Sequence, residues 1–169
     1  MSSYFNLSGD IEIILDHIVQ IDTEDYLAID DHFIPLRKHT VTDTAMDFRQ
    51  PMRIRNSIHL DDEQLLIAGS YGHCWCLNGR GLRPIAYVYA KKTGITLKIA
   101  TDQAGVQFYS GNSLQDIEGR SGTIYQKHDG LCLETQCYPN QVNMPQATAC
   151  IFSSGEVYTH ITVYQVITD

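Results

Sequence analysis

The sequence is short of positive charge. Its 169 residues carry 12 lysines and arginines against 20 aspartates and glutamates, a formal charge of -8, and no basic run gathers anywhere along it. A phosphate backbone is recognised by clustered cations, so nucleic acid is not an expected partner. Long apolar runs are missing as well. The opening Met1-Ser2-Ser3-Tyr4-Phe5-Asn6-Leu7 has neither the basic start nor the apolar stretch of a secretory leader, and no later segment approaches a membrane span. The expectation is a cytoplasmic protein with no membrane partner. P-loop, dinucleotide fingerprint, serine-nucleophile elbow and HExxH helix are all absent, which removes support for the common nucleotide-dependent and hydrolase classes.

What is present is enough to fold. With 43% hydrophobic and 19% charged residues, the chain can bury one sizeable core, and no internal repeat, low-complexity stretch or linker divides it. One domain over residues 1–169 is expected. Five cysteines (Cys74, Cys76, Cys132, Cys137, Cys150) are an odd number in a chain that needs no disulfide framework, so most are expected to be reduced and buried. His73-Cys74-Trp75-Cys76 raises the question of a metal. In a strand both thiols share one face and His73 takes the other, and a Cys-x-Cys pair lacking a second pair at ligand spacing reads as core packing. No metal and no cofactor is expected.

The periodicity is that of strands. Ile11 to Ile21 and Tyr26 to Ile29 are rich in β-branched and aromatic residues, and no long segment keeps helical spacing for three turns. Ala86 to Tyr89 and Ile95 to Ile99 flank Lys91-Lys92-Thr93-Gly94 and predict a hairpin with a glycine turn. Val157 to Val166 alternates with little charge on either face, the pattern expected of a strand inside a sheet. Turn clusters at Asn78 to Gly81, Ser110 to Ser113 and Gly119 to Gly122 punctuate the runs. The predicted fold class is an all-β, antiparallel β-sandwich.

Five blocks, in order, carry a family resemblance. Tyr4-Phe5-Asn6-Leu7 is similar to N-H-x-Y-F-N-L. Tyr26-Leu27-Ala28-Ile29-Asp30 with Ile34-Pro35 follows, then Thr44-Ala45-Met46-Asp47-Phe48-Arg49, similar to T-x-F-D-F-R. Thr101 to Asn112 resembles T-x-x-P-G-V-Q-F-Y-T-G-N, with Ala104 in place of proline, and Gly130-Leu131-Cys132-Leu133-Glu134-Thr135-Gln136 resembles G-L-C-L-E-T-Q. The chain resembles the C-terminal half of the aldose 1-epimerase (galactose mutarotase) family, which implies part of a large sandwich with an aldohexose as ligand. Interconverting sugar anomers requires a base to take the anomeric hydroxyl proton and an acid to protonate the ring oxygen, so that the ring opens and recloses. The resemblance implies Glu134 as that base, placed after the apolar Leu131, Cys132 and Leu133, where desolvation favours a raised pKa. It implies Gln107 as a sugar contact, since an amide both donates to and accepts from a hydroxyl. Ser3, Tyr4, His73 and Asn112 complete the candidate substrate-binding set. Tyr109 also lies in the matching segment, where core packing accounts for it.

The departures matter equally. The family's general-acid histidine falls at Ser2, and a serine hydroxyl has no pKa near neutrality. The aspartate of its G-Y-D-H block falls at Gly72, which offers no side-chain acceptor, and the half that contributes an arginine and another histidine precedes Met1. Three readings stand side by side. They are an isomerase, residual or completed by a partner supplying the other half; a non-catalytic sugar-binding or interaction domain; and an incomplete gene product. Isolated, the chain is expected to anomerise sugars far more slowly than the family, to remain unrescued by Ser2→His alone, and to self-associate, recruit a partner or aggregate through uncovered strand edges.

Overall fold

A computed structural model describes residues 3–9, 12–144 and 150–168. Its strands are β1 (Ile18–Ile21), β2 (Thr23–Ile29), β3 (Pro35–Thr40) and β4 (Met52–Arg53), followed by short helices α1 (Ile54–Ser57) and α2 (Glu63–Ala68). Then come β5 (Gly72–Leu77), β6 (Arg83–Ala90), β7 (Ile95–Thr101), β8 (Gly105–Tyr109), β9 (Ile117–Glu118), β10 (Ile124–Tyr125), β11 (Cys132–Gln136) and β12 (Thr162–Thr168). Two five-stranded antiparallel sheets result, ordered β12-β7-β6-β1-β4 and β11-β8-β5-β2-β3. Val19, Ile21, Val88, Leu97 and Ile99 of the first share one buried cluster with Tyr26, Trp75, Val106, Phe108 and Leu133 of the second. The architecture is the expected sandwich. Among the described residues, no helix is long and apolar enough to cross a membrane.

The core centres on aromatic rings. Phe48 packs edge-on against Tyr71 at 5.1 Å and Phe108 at 5.7 Å, Tyr71 stacks on Phe108 at 5.3 Å, and Trp75 closes the group at 5.8 Å from Phe108. Buried tyrosine and tryptophan need partners for their polar tips. Trp75 Nε1 donates to the Met46 carbonyl at 2.9 Å, while the Tyr71 hydroxyl donates to the Ala45 carbonyl at 2.9 Å and meets Ser57 Oγ at 2.6 Å. The loop at 44–49 is thereby tied to the second sheet. Asp62 caps α2 by accepting from the Gln64 and Leu65 amides, and its other oxygen accepts from Ala45 N. Gly69 takes the left-handed conformation that ends the helix.

The hairpin of β6 and β7 forms as expected, with Gly94 at positive φ in its turn. Two other expectations need correction. Ile11 lies outside the described residues, and Ile14–Asp16 form a 3-10 turn, so strand structure starts only at Ile18. The turn buries Ile14 and Leu15, and His17 follows it into the interior, where its Nε2 accepts from Leu7 N at 2.9 Å. In the C-terminal run the strand begins at Thr162, well after Val157, and among the described residues pairs with β7 alone. It is an edge strand and not an internal one, with Val163, Tyr164 and Val166 exposed. The cysteines divide into buried free thiols at Cys74, Cys76 and Cys132 and a disulfide joining Cys137 to Cys150.

Burial holds the imidazoles of His17 and His73 at about 4, below their ordinary 6.5. A lowered folded pKa means that the unfolded chain binds more protons through this window, so the stabilisation is complete above about pH 6.5 and is lost as pH falls toward 4. Denaturant titrations should show the unfolding free energy lower at about pH 5 than at about pH 7.5, by about 2 kcal/mol for each histidine. His17→Gln should remove its share of that difference. A flat profile between those two pH values would contradict the assignment.

Candidate functional site

The second sheet has an inner face in the core and an outer face directed away from it. Strand register sorts the candidate residues between them. Glu134 of β11 stands directly opposite Gln107 of β8, Gln107 opposite Cys74 of β5, Cys74 opposite Leu27 of β2, and Leu27 opposite Lys38 of β3. This outer row crosses all five strands. Gly72, Tyr109 and Cys132 form the neighbouring row on one side, and Cys76, Gly105 and Gln136 the row on the other. The Glu134 carboxylate and the Gln107 amide therefore adjoin on one face, both half-buried and neither hydrogen-bonded to a described residue.

Aromatic rings border this pair. The backbone of Phe5 bridges Leu131, which lays the N-terminal segment along β11 and brings the Tyr4 ring edge-on to Tyr109 at 6.3 Å. Burial, then the neighbouring Cys132, Tyr109 and Glu134, raise the pKa of the Tyr4 phenol and keep it a neutral donor. Burial likewise pushes the Cys132 thiol up to about 12, with the Glu134 carboxylate adding to the effect. On the far side Tyr138 and Met144 pack over Leu27, Cys74 and Cys76, and Lys38 Nζ lies 5.0 Å from the centre of the Tyr138 ring. Gly105 makes that covering possible, because a Cβ there would sit 2.8 Å from Cys74 Sγ and 3.1 Å from the Tyr138 ring.

The remaining candidates separate. Ser3 is exposed at the start of the strap that carries Tyr4, and Ser2 lies outside the described residues. His73 is not brought to Glu134. Strand alternation turns it into the core beside Tyr26 and Trp75, where its Nδ1 accepts from Gly72 N and its Nε2 has no partner among the described residues. Asn112 is spent on structure. Its Nδ2 donates to the Ala68 and Tyr71 carbonyls, both at 3.0 Å, and its Oδ1 accepts from Ser110 Oγ at 2.6 Å, leaving no donor hydrogen for a ligand. Tyr109 is on the outer face and not in the core, with its hydroxyl accepting from Ser113 N at 2.7 Å.

Reading the sequence missed Tyr138, Gly105 and Cys132 as parts of this face. Alternation around Gln107 and Glu134 marks Gly105 and Cys132 once those two are placed, whereas Tyr138 lies beyond β11 and carries no such signal. Among the described residues, the ligand-forming group brought close enough for a metal is the exposed turn of Asp30, Asp31 and His32, and neither Cys74 nor Cys76 belongs to it. A cavity of about 930 Å³ opens elsewhere, lined by Gln20, Glu24, Arg49, Met52, Tyr87 and Lys98 among others. It includes neither Glu134 nor Gln107. The outer face is preferred as the candidate site because it joins an unengaged carboxylate and amide, whereas Arg49 in the cavity is already paired with Asp47 and Glu24.

Comparison with known proteins places the chain in a family. The family model described as aldose 1-epimerase matches residues 2–165, and the chain belongs to that family. Human galactose mutarotase is 38% identical over 167 residues, covering 96% of this chain and 47% of its own length. Aldose 1-epimerase of Escherichia coli (strain K12) is 33% identical over 171 residues, covering 98% of this chain and 49% of its own. The chain thus spans about half the length of the curated relatives it matches. Among solved structures, galactose 1-epimerase from Lactobacillus acidophilus NCFM superposes with a TM-score of 0.69 at 31% identity, over 80% of this chain and 39% of that one. An aldose epimerase homologue from C. elegans superposes with a TM-score of 0.83 at 23% identity, over 99% and 50%, a likeness of fold.

The contrast between engaged and unengaged amides is measurable. Asn112→Ala strips donors from two carbonyls and an acceptor from Ser110, and should lower unfolding free energy by about 2 kcal/mol. Gln107→Ala removes no described hydrogen bond and should change it by no more than about 0.5 kcal/mol. Thermal unfolding of both variants beside the wild type checks the difference, and equal losses would contradict it.

Proposed function

We propose that this chain carries the base side of an aldose 1-epimerase site and binds an aldohexose such as galactose or glucose on the outer face of the second sheet. The observation that carries the reading is the direct register of Glu134 with Gln107 within the family's own sequence blocks, both side chains without a described hydrogen-bond partner. Glu134 takes the proton of the anomeric hydroxyl as general base, and Gln107 donates to and accepts from a neighbouring sugar hydroxyl. Tyr4 and Ser3 edge the same face. Protonation of the ring oxygen needs an acid, and the position that resembles the family's histidine is Ser2. Gly72 offers no acceptor where the family has aspartate. Anomerisation by this chain alone should therefore be slow, since acid–base catalysis contributes ~100 to 10,000-fold per group. A partner supplying the other half of the site fits this reading.

The bare Gly72 favours a second reading, a sugar-binding domain without catalysis. A cytoplasmic location belongs with both. There the three buried thiols persist, and the Cys137–Cys150 bond is the feature that a reducing compartment would open.

Exchange NMR between the α and β forms of galactose and glucose, with the spontaneous rate subtracted, tests the proposal. A small excess rate that disappears in Glu134→Gln is the expected result. Sugar binding without any excess rate favours the second reading. Gly72→Asp should tighten sugar binding roughly tenfold or more, the worth of one hydrogen bond to a charged group. A Cβ at Gly72 meets nothing closer than 3.7 Å, so the substitution fits. Full family-like rates in the wild-type chain, or no sugar-induced shifts at Gln107 and Glu134, would overturn the proposal.

A further inference from the structure

Among the described residues, two of the four sheet edges are blunted and a third is bridged just before its strand begins. At one edge, β3 carries Pro35 and the exposed Arg37, Lys38 and His39, which oppose strand addition. At another, β4 is only 2 residues long. The third, β11, is covered at its start by the N-terminal strap, with Phe5 N donating to the Leu131 carbonyl and Leu131 N donating to the Phe5 carbonyl. The fourth is β12. Its 7 residues, Thr162-Val163-Tyr164-Gln165-Val166-Ile167-Thr168, pair in unbroken register with β7 and contain no charge, proline, glycine or bulge. Nothing pairs with its other side among the described residues.

This strand is also complementary to itself. In an antiparallel pair made by a two-fold axis perpendicular to the sheet, residues standing opposite must point to the same face, so their numbers must sum to an even value. The even register that engages the whole strand is centred on Gln165. It sets Tyr164 against Val166 of the second copy, Val163 against Ile167, Thr162 against Thr168, and Gln165 against itself. Each is a favourable cross-strand pair, aromatic with β-branched, branched with branched, hydroxyl with hydroxyl and amide with amide. Tyr164 is 41% exposed, Val163 45% and Val166 61%, so the surface such pairing would cover is open and apolar.

We propose that β12 is the docking edge for a second copy of this chain, forming an isologous dimer in which the two five-stranded sheets become one continuous sheet through an antiparallel β12 pair centred on Gln165. The Tyr164 hydroxyl donates to the Leu133 carbonyl at 2.7 Å, so β12 lies over β11 on one side of the sandwich. The axis keeps both cores on the same side, and pairing at β12 therefore also brings the copies' β11 edges toward each other. The two Glu134-bearing faces then flank the junction. The proposal does not depend on sugar binding, and its measurements are independent of anomerisation.

Sedimentation of the full chain from low to high micromolar concentration should show a monomer–dimer equilibrium. Val166→Lys replaces an aromatic–aliphatic pair with a charge set against Tyr164 of the second copy, and should weaken the dimer at least roughly tenfold. Val163→Lys sets a charge against Ile167 of the second copy on the opposite face and should weaken the dimer similarly, and circular dichroism checks that both variants remain folded. Gln165→Cys, gently oxidised, should yield a disulfide-linked dimer that the wild type does not form. A wild-type monomer throughout the range, a dimer insensitive to both lysine variants, or failure of Gln165→Cys to cross-link would each overturn the proposal. So would a chain that stays monomeric alone and pairs only with a fragment corresponding to the other half of its relatives.

Discussion

The structure depends on the way Trp75 and Tyr71 are held. Each contributes a large apolar ring to the centre of the sandwich, and each reaches across the core with its polar atom to a carbonyl of the loop at 44–49. An aromatic side chain whose N–H or O–H went unpaired there would lose part of what burial gains. The loop is therefore as much a part of the core as the strands. Its position brings Phe48 into the aromatic group and Ala45 N to the Asp62 carboxylate that starts α2. With Trp75 fixed facing inward, alternation along β5 turns Cys74 outward, and register carries that orientation to Gln107 and Glu134. The face of the candidate site is set from beneath, by packing on the other side of the same sheet.

That dependence explains what was legible in the sequence. The β6 and β7 hairpin could be read directly, because two alternating runs around a glycine turn specify their own partner. So could the separation of Cys74 and Cys76 from His73, which needs only the strand period. The pairing of Glu134 with Gln107 could not be read from periodicity, since alternation reveals faces and says nothing of which strands adjoin. The family resemblance suggested it, and the register supplies it. The 3-10 turn before β1 was hidden for a related reason: the apolar residues on either side of it continue the strand pattern, and nothing in the pattern marks the break.

The C-terminal run shows the opposite failure. Its low charge and alternation suit an internal strand, yet β12 is an edge with one neighbour. Pattern records how apolar a segment is, while position depends on which other segments reach it. His73 and Asn112 make the same point at the level of the site. Their residue types suit sugar recognition, but the imidazole is claimed by the core and the amide by three hydrogen bonds, two of them to residues 44 and 41 positions away, demands that no linear motif displays.

The N-terminal strap has a consequence for the order of assembly. Asn6 reaches the Asp129 carbonyl across 123 positions of chain, and Phe5 pairs with Leu131, so Tyr4 can stand beside Glu134 only once the chain through β11 is in place. Contacts of such separation pay a large loop-closure entropy before they return any stabilisation, and they belong to the slow, late part of folding. In folding, the segment that carries Tyr4 waits for β11, far along the chain, to be in place. The polar face proposed as the site is finished when the strap that carries Tyr4 reaches β11.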